Sequence, residues 1–150
     1  MTNSLDILEN DSRQYIVVKI GSEQYGIDIS YIDNIVRMQK ITRVPKAQKF
    51  FRGVINLRGE IVPIMSIRRK FELDDDEITD KTRIIILKPE QQEPIGIIVD
   101  QVKEVLSLEA ENIEKIQSDQ KDEKSKYINA VGKYNGNLIS ILNINGVIEI

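Results

Sequence analysis

Apolar residues recur along this chain in short runs rich in Ile and Val, broken by Gly, Pro, Asn and clusters of acids. The pattern predicts β-strands, because β-branched side chains suit a pleated, half-buried surface. Tyr15 to Ile20 and Gln24 to Ile29, parted by Gly21-Ser22-Glu23, read as a hairpin. Ile32, Ile35 and Met38 stand at intervals of three, a helical spacing. Ile32, Ile35 and Val36 are nevertheless β-branched, and the chain before Pro45 is held extended, so Ile32 to Arg37 is expected as a strand. Pro45 to Phe51 is expected as one short helical turn, since proline suits a first helical position, with Gly53 ending it.

The stretch Phe50 to Phe71 carries the sharpest signal. Val54-Ile55 and Ile61 to Ile67 flank Asn56-Leu57-Arg58-Gly59, which predicts a hairpin with an arginine at its tip and glycine supplying the positive φ of the turn. Glu72 to Asp80 then places six carboxylates in nine residues. The run lacks the glycine and the alternating oxygen ligands of a calcium loop, so it reads as a solvated linker. Thr82 to Leu87 and Pro94 to Val99 form a further strand pair. Leu108, Ile113 and Ile116 pin part of an otherwise polar region, residues 117–126 read as a mobile loop, and residues 1–13 read as a flexible lead-in.

The pattern repeats. Gly26-Ile27-Asp28-Ile29 aligns on Gly96-Ile97-Ile98-Val99 at an offset of 70, which sets Ile32 on Val102 and Ile35 on Val105. Tyr127 to Ile144 echoes the central stretch at an offset of 77, with Val54 on Val131, Gly59 on Gly136, Ile64 on Ile141 and Ile67 on Ile144. Asn135 stands where the first copy has Arg58. Glycine is therefore the requirement of the turn, and the arginine is an addition with a function of its own. An all-β fold of two similar small-barrel lobes follows, with a boundary near residues 72–82 within a domain of residues 14–150, and a groove between the lobes suits a partner.

Composition narrows the function. With 150 residues and 41% hydrophobic content the chain can bury a core, but it contains no Cys and no His. That removes disulfides, thiol nucleophiles, Cys or His zinc sites and histidine phosphotransfer, and no nucleophile-base pair or metal cluster is visible, so an enzyme is not expected. No run approaches the roughly 18 apolar residues of a membrane span, and a soluble, cytoplasmic protein is expected. From Arg37 to Lys70 there are ten Lys or Arg and one acid, Glu60, in a chain of net charge −3. Such a stretch attracts acidic protein or nucleic acid, or else lines solvated edges where lysine discourages strand pairing. A nucleic-acid-binding barrel is thus a second reading, against which aromatics are only 5% and Phe50, Phe51 and Phe71 suit burial.

Several dispersed stretches together resemble the CheW family of bacterial chemotaxis coupling proteins. They are Tyr25-Gly26-Ile27-Asp28-Ile29, Arg52-Gly53-Val54-Ile55-Asn56-Leu57-Arg58-Gly59 with Ile61-Val62-Pro63-Ile64, Gly96-Ile97-Ile98-Val99-Asp100, and Val105-Leu106-Ser107-Leu108. The resemblance implies two five-stranded β-barrels side by side with short helical turns, no catalysis and no cofactor. It implies an adaptor at membrane-associated arrays, joining the cytoplasmic tip of chemoreceptors (methyl-accepting chemotaxis proteins) to the histidine kinase CheA through the kinase's like-folded regulatory domain. By the same resemblance Gly53, Asn56, Arg58 and Gly59 match receptor-coupling positions, and Ile32, Val99, Val102 and Val105 match positions facing the groove. Where the family commonly has a glutamate that pairs with the motif arginine, this chain has Asn34; Ser66 replaces a common aspartate and Ala130 a common glycine.

Overall fold

The computed structural model describes residues 12–89, 92–116 and 126–149. Its strands are β1 (Ser12–Ile20), β2 (Glu23–Asp28), β3 (Ile32–Arg37), β4 (Phe51–Leu57), β5 (Glu60–Ser66), β6 (Arg83–Leu87), β7 (Ile95–Val99), β8 (Gln101–Glu109), β9 (Ile113–Lys115), β10 (Ile128–Tyr134) and β11 (Asn137–Leu142). They form a five-stranded sheet of order β3-β6-β7-β5-β4 and a six-stranded sheet of order β8-β1-β2-β11-β10-β9. The all-β expectation holds; β9 is what gives the second sheet its sixth strand.

The sequence repeat is a repeat of topology. Replacing β3, β6, β7, β5 and β4 by β8, β1, β2, β11 and β10 turns one strand order into the other. The registers agree as well: parallel pairing sets Ile64 against Gly96 in one sheet and Ile141 against Gly26 in the other. At Gly96 a Cβ would lie 2.6 Å from Ile64 Cδ1 and 2.9 Å from Ile84 Cγ2, so this glycine gives neighbouring isoleucines their room, whereas at Gly26 the nearest atom, Ile139 Cγ2, would be at an ordinary 3.5 Å. The single helical turns Ile67–Lys70 and Ile144–Val147 follow β5 and β11 at the same offset. Ser66 caps the first, its Oγ accepting from Arg69 N at 3.1 Å, which gives this residue a capping role of its own.

The largest apolar cluster is shared by the two sheets. Ile85, Leu87, Ile97 and Val99 from one meet Ile16, Val18, Ile20 and Ile27 from the other. The alternate residues Ile84, Ile86 and Ile98 pack with Ile55, Val62 and Ile64 on the far face, while Tyr15, Leu108, Ala130 and Ile141 do the same in the second sheet. Strands buried on both faces carry unbroken apolar runs, which is why β7 is buried at all its positions.

Four sequence expectations need revision. Pro45 to Phe51 is not a helical turn: Lys46 has φ 64°, Phe51 N donates to Gln48 O at 3.0 Å, and Phe51 already belongs to β4. The cause is nonlocal, since Thr42 exchanges two 2.8 Å backbone bonds with Val54 and the chain must double back between them. Gly53 accordingly lies inside β4 rather than at a helix end. The acidic run is not a free linker: Arg69 grips Asp75 through Nε and Nη2 at 2.8 and 3.0 Å, and the Asp76 side chain is only 2% exposed. Hydrogen bonding from Arg69 holds the Asp75 carboxyl down at about 2. Residues 72–82 connect β5 to β6 within one sheet, and the chain changes sheet after β2 and after β7 instead. β1 includes Ser12 and Arg13. The rest of the expected lead-in and most of the expected mobile loop, residues 117–125, lie outside the described residues.

The turn Ile67–Lys70 ends in a Schellman arrangement, with Leu73 N donating to Arg68 O at 2.8 Å and Glu72 N to Arg69 O at 3.1 Å. Its left-handed position is filled by Glu72 at φ 59°, where glycine is at ease. Glu72→Gly is expected to raise stability by about 0.5 to 1 kcal/mol, read as a higher urea midpoint with an unchanged slope.

Candidate functional site

The β4–β5 hairpin closes through two residues, Arg58 at φ 54° and Gly59 at φ 84°. Both torsions are positive, the type I′ form that matches the twist of paired strands. A Cβ on Gly59 would meet nothing within 4 Å, so glycine is required there for its torsion alone. Asn56 Oδ1 accepts from Gly59 N at 3.0 Å, which makes Asn56 a fastener of the turn.

Arg58 shares that constraint. The matching turn has Asn135 at φ 48° and Gly136 at φ 78°, and asparagine tolerates the left-handed region far better than arginine does. The structure therefore refines the division read from the repeat: both tip positions carry a backbone demand, and only the first copy meets it with a residue that costs about 1 kcal/mol there. Arg58 is exposed and, among the described residues, takes part in no hydrogen bond or ion pair. Asn34 does not engage it, since Asn34 Oδ1 accepts from Ile35 N at 2.8 Å.

The remaining candidates divide by burial. Ile32 and Val102 sit half-buried at the rim of the shared cluster, each paired with a member of it, Leu87 and Val18. Val105, opposite Ile16, is 55% exposed. Ile32, Asn34, Val102 and Val105 thus lie on β3 and β8, the repeat-related outer strands of the two sheets, each hydrogen-bonded on one side only among the described residues. Val99 is fully buried in the shared cluster and has no surface to offer. Gly53 is buried too, at φ 138°. The structure brings Ile32 and Val102 to one cluster and joins Asn56, Arg58 and Gly59 in one turn; Val99 and Gly53 belong to the packing beneath.

Two exposed apolar residues escaped the sequence reading. Ile61, next to the Arg58 turn, is 64% exposed, and Leu138, next to the Asn135 turn, is 67% exposed. They are equivalent at the offset of 77 already visible in the sequence, and extending that alignment by one pair would have found them. Among the described residues no group of three or more His, Cys, Asp or Glu is placed to hold a metal ion, and no helix is long and apolar enough to cross a membrane.

Comparison with known proteins agrees with this arrangement. The model of the CheW-like domain matches residues 14–150. The chain is 33% identical over 134 residues to the chemotaxis protein CheW of Bacillus subtilis (strain 168), covering 89% of this chain and 85% of that protein. It is 39% identical over 105 residues to the chemotaxis protein CheW of Klebsiella aerogenes, covering 70% of this chain and 63% of that one. The crystal structure of the scaffolding protein TtCheW from Thermoanaerobacter tengcongensis superposes with a TM-score of 0.83 at 28% identity, covering 92% and 93% of the two chains. These likenesses, over nearly the whole chain and its two-sheet fold, make it a member of the CheW family of non-enzymatic chemotaxis scaffold proteins.

Proposed function

We propose that this chain is a cytoplasmic adaptor that couples transmembrane chemoreceptors to the histidine kinase CheA at receptor arrays. The observation that carries the reading is Arg58: a permanent cation on a short turn, in a backbone conformation that disfavours it, with no partner of its own among the described residues. A strained, solvent-facing cation is suited to a carboxylate or helix-end carbonyl on another molecule. The rim formed by Ile32, Val102 and Val105 gives an amphipathic receptor helix an apolar seat, and Ile61 and Leu138 give the kinase's like-folded domain two equivalent apolar contacts. The adaptor acts by favouring one kinase state through contacts that differ between states.

Nucleic-acid binding finds no platform in the basic stretch. Phe50 and Phe51 pack on each other at 5.0 Å between ring centroids, Phe71 stacks on Tyr127 at 4.7 Å, and all three phenylalanines are partly buried.

Arg58→Asn separates the two sides of the proposal. It is expected to stabilise the fold by about 1 kcal/mol, because asparagine accepts the left-handed torsion, while weakening capture of a receptor tip fragment about tenfold or more. Thermal unfolding and co-sedimentation with receptor tip and kinase regulatory domain read the two effects. Full binding by a stabilised Arg58→Asn chain would remove Arg58 from the interface.

A further inference from the structure

The ten cations between Arg37 and Lys70 are not equivalent once their partners are known. Arg68 is held by Asp100, Arg69 and Arg52 by Asp75, and Lys70 by the carbonyl of Glu149 and the face of Phe50. Arg43, Lys46 and Lys49 are exposed and, among the described residues, their cationic groups have no hydrogen-bonded or ionic partner. These three line a cleft of about 1100 Å³ whose floor contains Arg52 and Arg69.

The floor already holds a carboxylate. Arg69 donates to both oxygens of Asp75, Arg52 Nη1 reaches Asp75 Oδ1 at 3.3 Å, and Arg69 Nη1 is braced on Lys49 O at 3.1 Å. That is the planar two-pronged geometry with which a guanidinium recognises a carboxylate. The strap supplying Asp75 is imperfectly satisfied: among the described residues both oxygens of Asp76 are buried without a hydrogen-bond donor, with Arg52 Nη1 3.6 Å from Oδ2. A buried acceptor left unbonded weakens the strap, and the Asp75 side chain, 58% exposed, adds only a screened ion pair. Val44 and Leu73, 45% and 44% exposed, flank the same cleft as apolar seats.

We propose that this cleft docks an acidic peptide segment of a partner protein, and that the Asp74 to Glu77 strap occupies its floor as an internal ligand which that segment displaces. Arg43, Lys46 and Lys49 attract the segment, Arg52 and Arg69 take its carboxylate in place of Asp75, and Val44 and Leu73 receive an apolar side chain. The chemistry favours peptide over nucleic acid, because the bound group is a carboxylate and the nearest aromatic, Phe51, is partly buried against Phe50. The cleft shares no residue with the Arg58 turn, so the proposal stands apart from receptor coupling.

The test is fluorescence anisotropy of the full chain with a short fluorescein-labelled peptide of glutamates carrying two leucines. Arg43→Glu with Lys49→Glu is expected to weaken binding about tenfold or more, whereas Arg37→Glu with Lys40→Glu, the same charge change outside the cleft lining, is expected to weaken it only about twofold. Asp75→Asn is expected to tighten binding severalfold by removing the internal competitor, and Arg58→Asn to leave it unchanged. Thermal unfolding establishes that each variant is folded. Equal losses from the two charge reversals, weaker binding by a folded Asp75→Asn chain, or tighter binding of an oligothymidylate than of the peptide would each overturn the proposal.

Discussion

Asp100→Ala is expected to lower the stability of the fold by about 3 kcal/mol, the cost of leaving a mostly buried charge without its partner. Asp100 lies where the chain passes from β7 of one sheet to β8 of the other. Its carboxylate receives Arg68 Nε at 3.0 Å on Oδ1 and Arg68 Nη2 at 2.6 Å on Oδ2, and Oδ2 also takes Gly21 N at 2.8 Å. One side chain thus ties the β1–β2 turn, the turn after β5 and the crossover. The pair is 17% and 19% exposed, so water replaces little of what is lost. Alanine leaves the Arg68 guanidinium with only the Asp74 carbonyl, 3.3 Å from Nη1, and strands the Gly21 amide, whereas Asp100→Asn keeps the shape and one acceptor and is expected to cost about half as much. For a chain of this size the alanine loss corresponds to roughly 6–12 °C in Tm. Urea unfolding of Asp100→Ala, Arg68→Ala and the double variant measures the coupling directly. A coupling below about 0.5 kcal/mol would mean that the pair behaves as a surface contact.

What the sequence disclosed and what it withheld follow from the range of the interactions. Strand positions and the hairpin tip depend on neighbours in the chain, and Ile32 to Arg37 was readable as a strand from its β-branched residues despite the helical spacing of Ile32, Ile35 and Met38. The repeat was readable because two copies of one unit keep the same glycines, as Gly26 and Gly96 do against Ile141 and Ile64. Pro45 to Phe51 departs from the expected helical turn because the bridge from Thr42 to Val54 decides its course, and that pairing leaves no mark in the local pattern. Asp75 and Asp76 read as solvated because a run of acids does not show which cations face it: Arg69 reaches Asp75 from the helical turn after β5, and Arg52 reaches both from β4. Val99 and Val102 differ in burial although both are valines of the same strand-rich run, since β7 is covered on two faces and β8 is an outer strand. Periodicity gives the face of a residue and leaves open whether that face is covered.

Gly53→Ala is expected to be as damaging as the loss of Asp100, about 3 kcal/mol, although the equivalent position in the second copy is already alanine. Gly53 adopts φ 138°, and a Cβ built there would overlap the carbonyl of Thr42, a backbone atom fixed by its two bonds to Val54. Neither the torsion nor the neighbour can relax without breaking the bridge. Ala130 matches Gly53 at the offset of 77, and a register shift falls at both places, between Phe51 and Gly53 and between Ile128 and Ala130. In the second copy, however, the strand alongside is β9, paired in regular register through Lys115 to Ala130 and Glu114 to Val131, and Ala130 is not among the residues with positive φ. The first copy replaces that strand with the single bridge at Thr42, and the close approach is what reserves the position for glycine. Ala130→Gly should therefore cost no more than about 1 kcal/mol, an entropic loss with no clash behind it. Urea unfolding of the two reciprocal variants reads the asymmetry. Retained stability with lost receptor coupling in Gly53→Ala would instead make Gly53 a contact residue, so the same pair of variants decides whether it serves the packing or the partner.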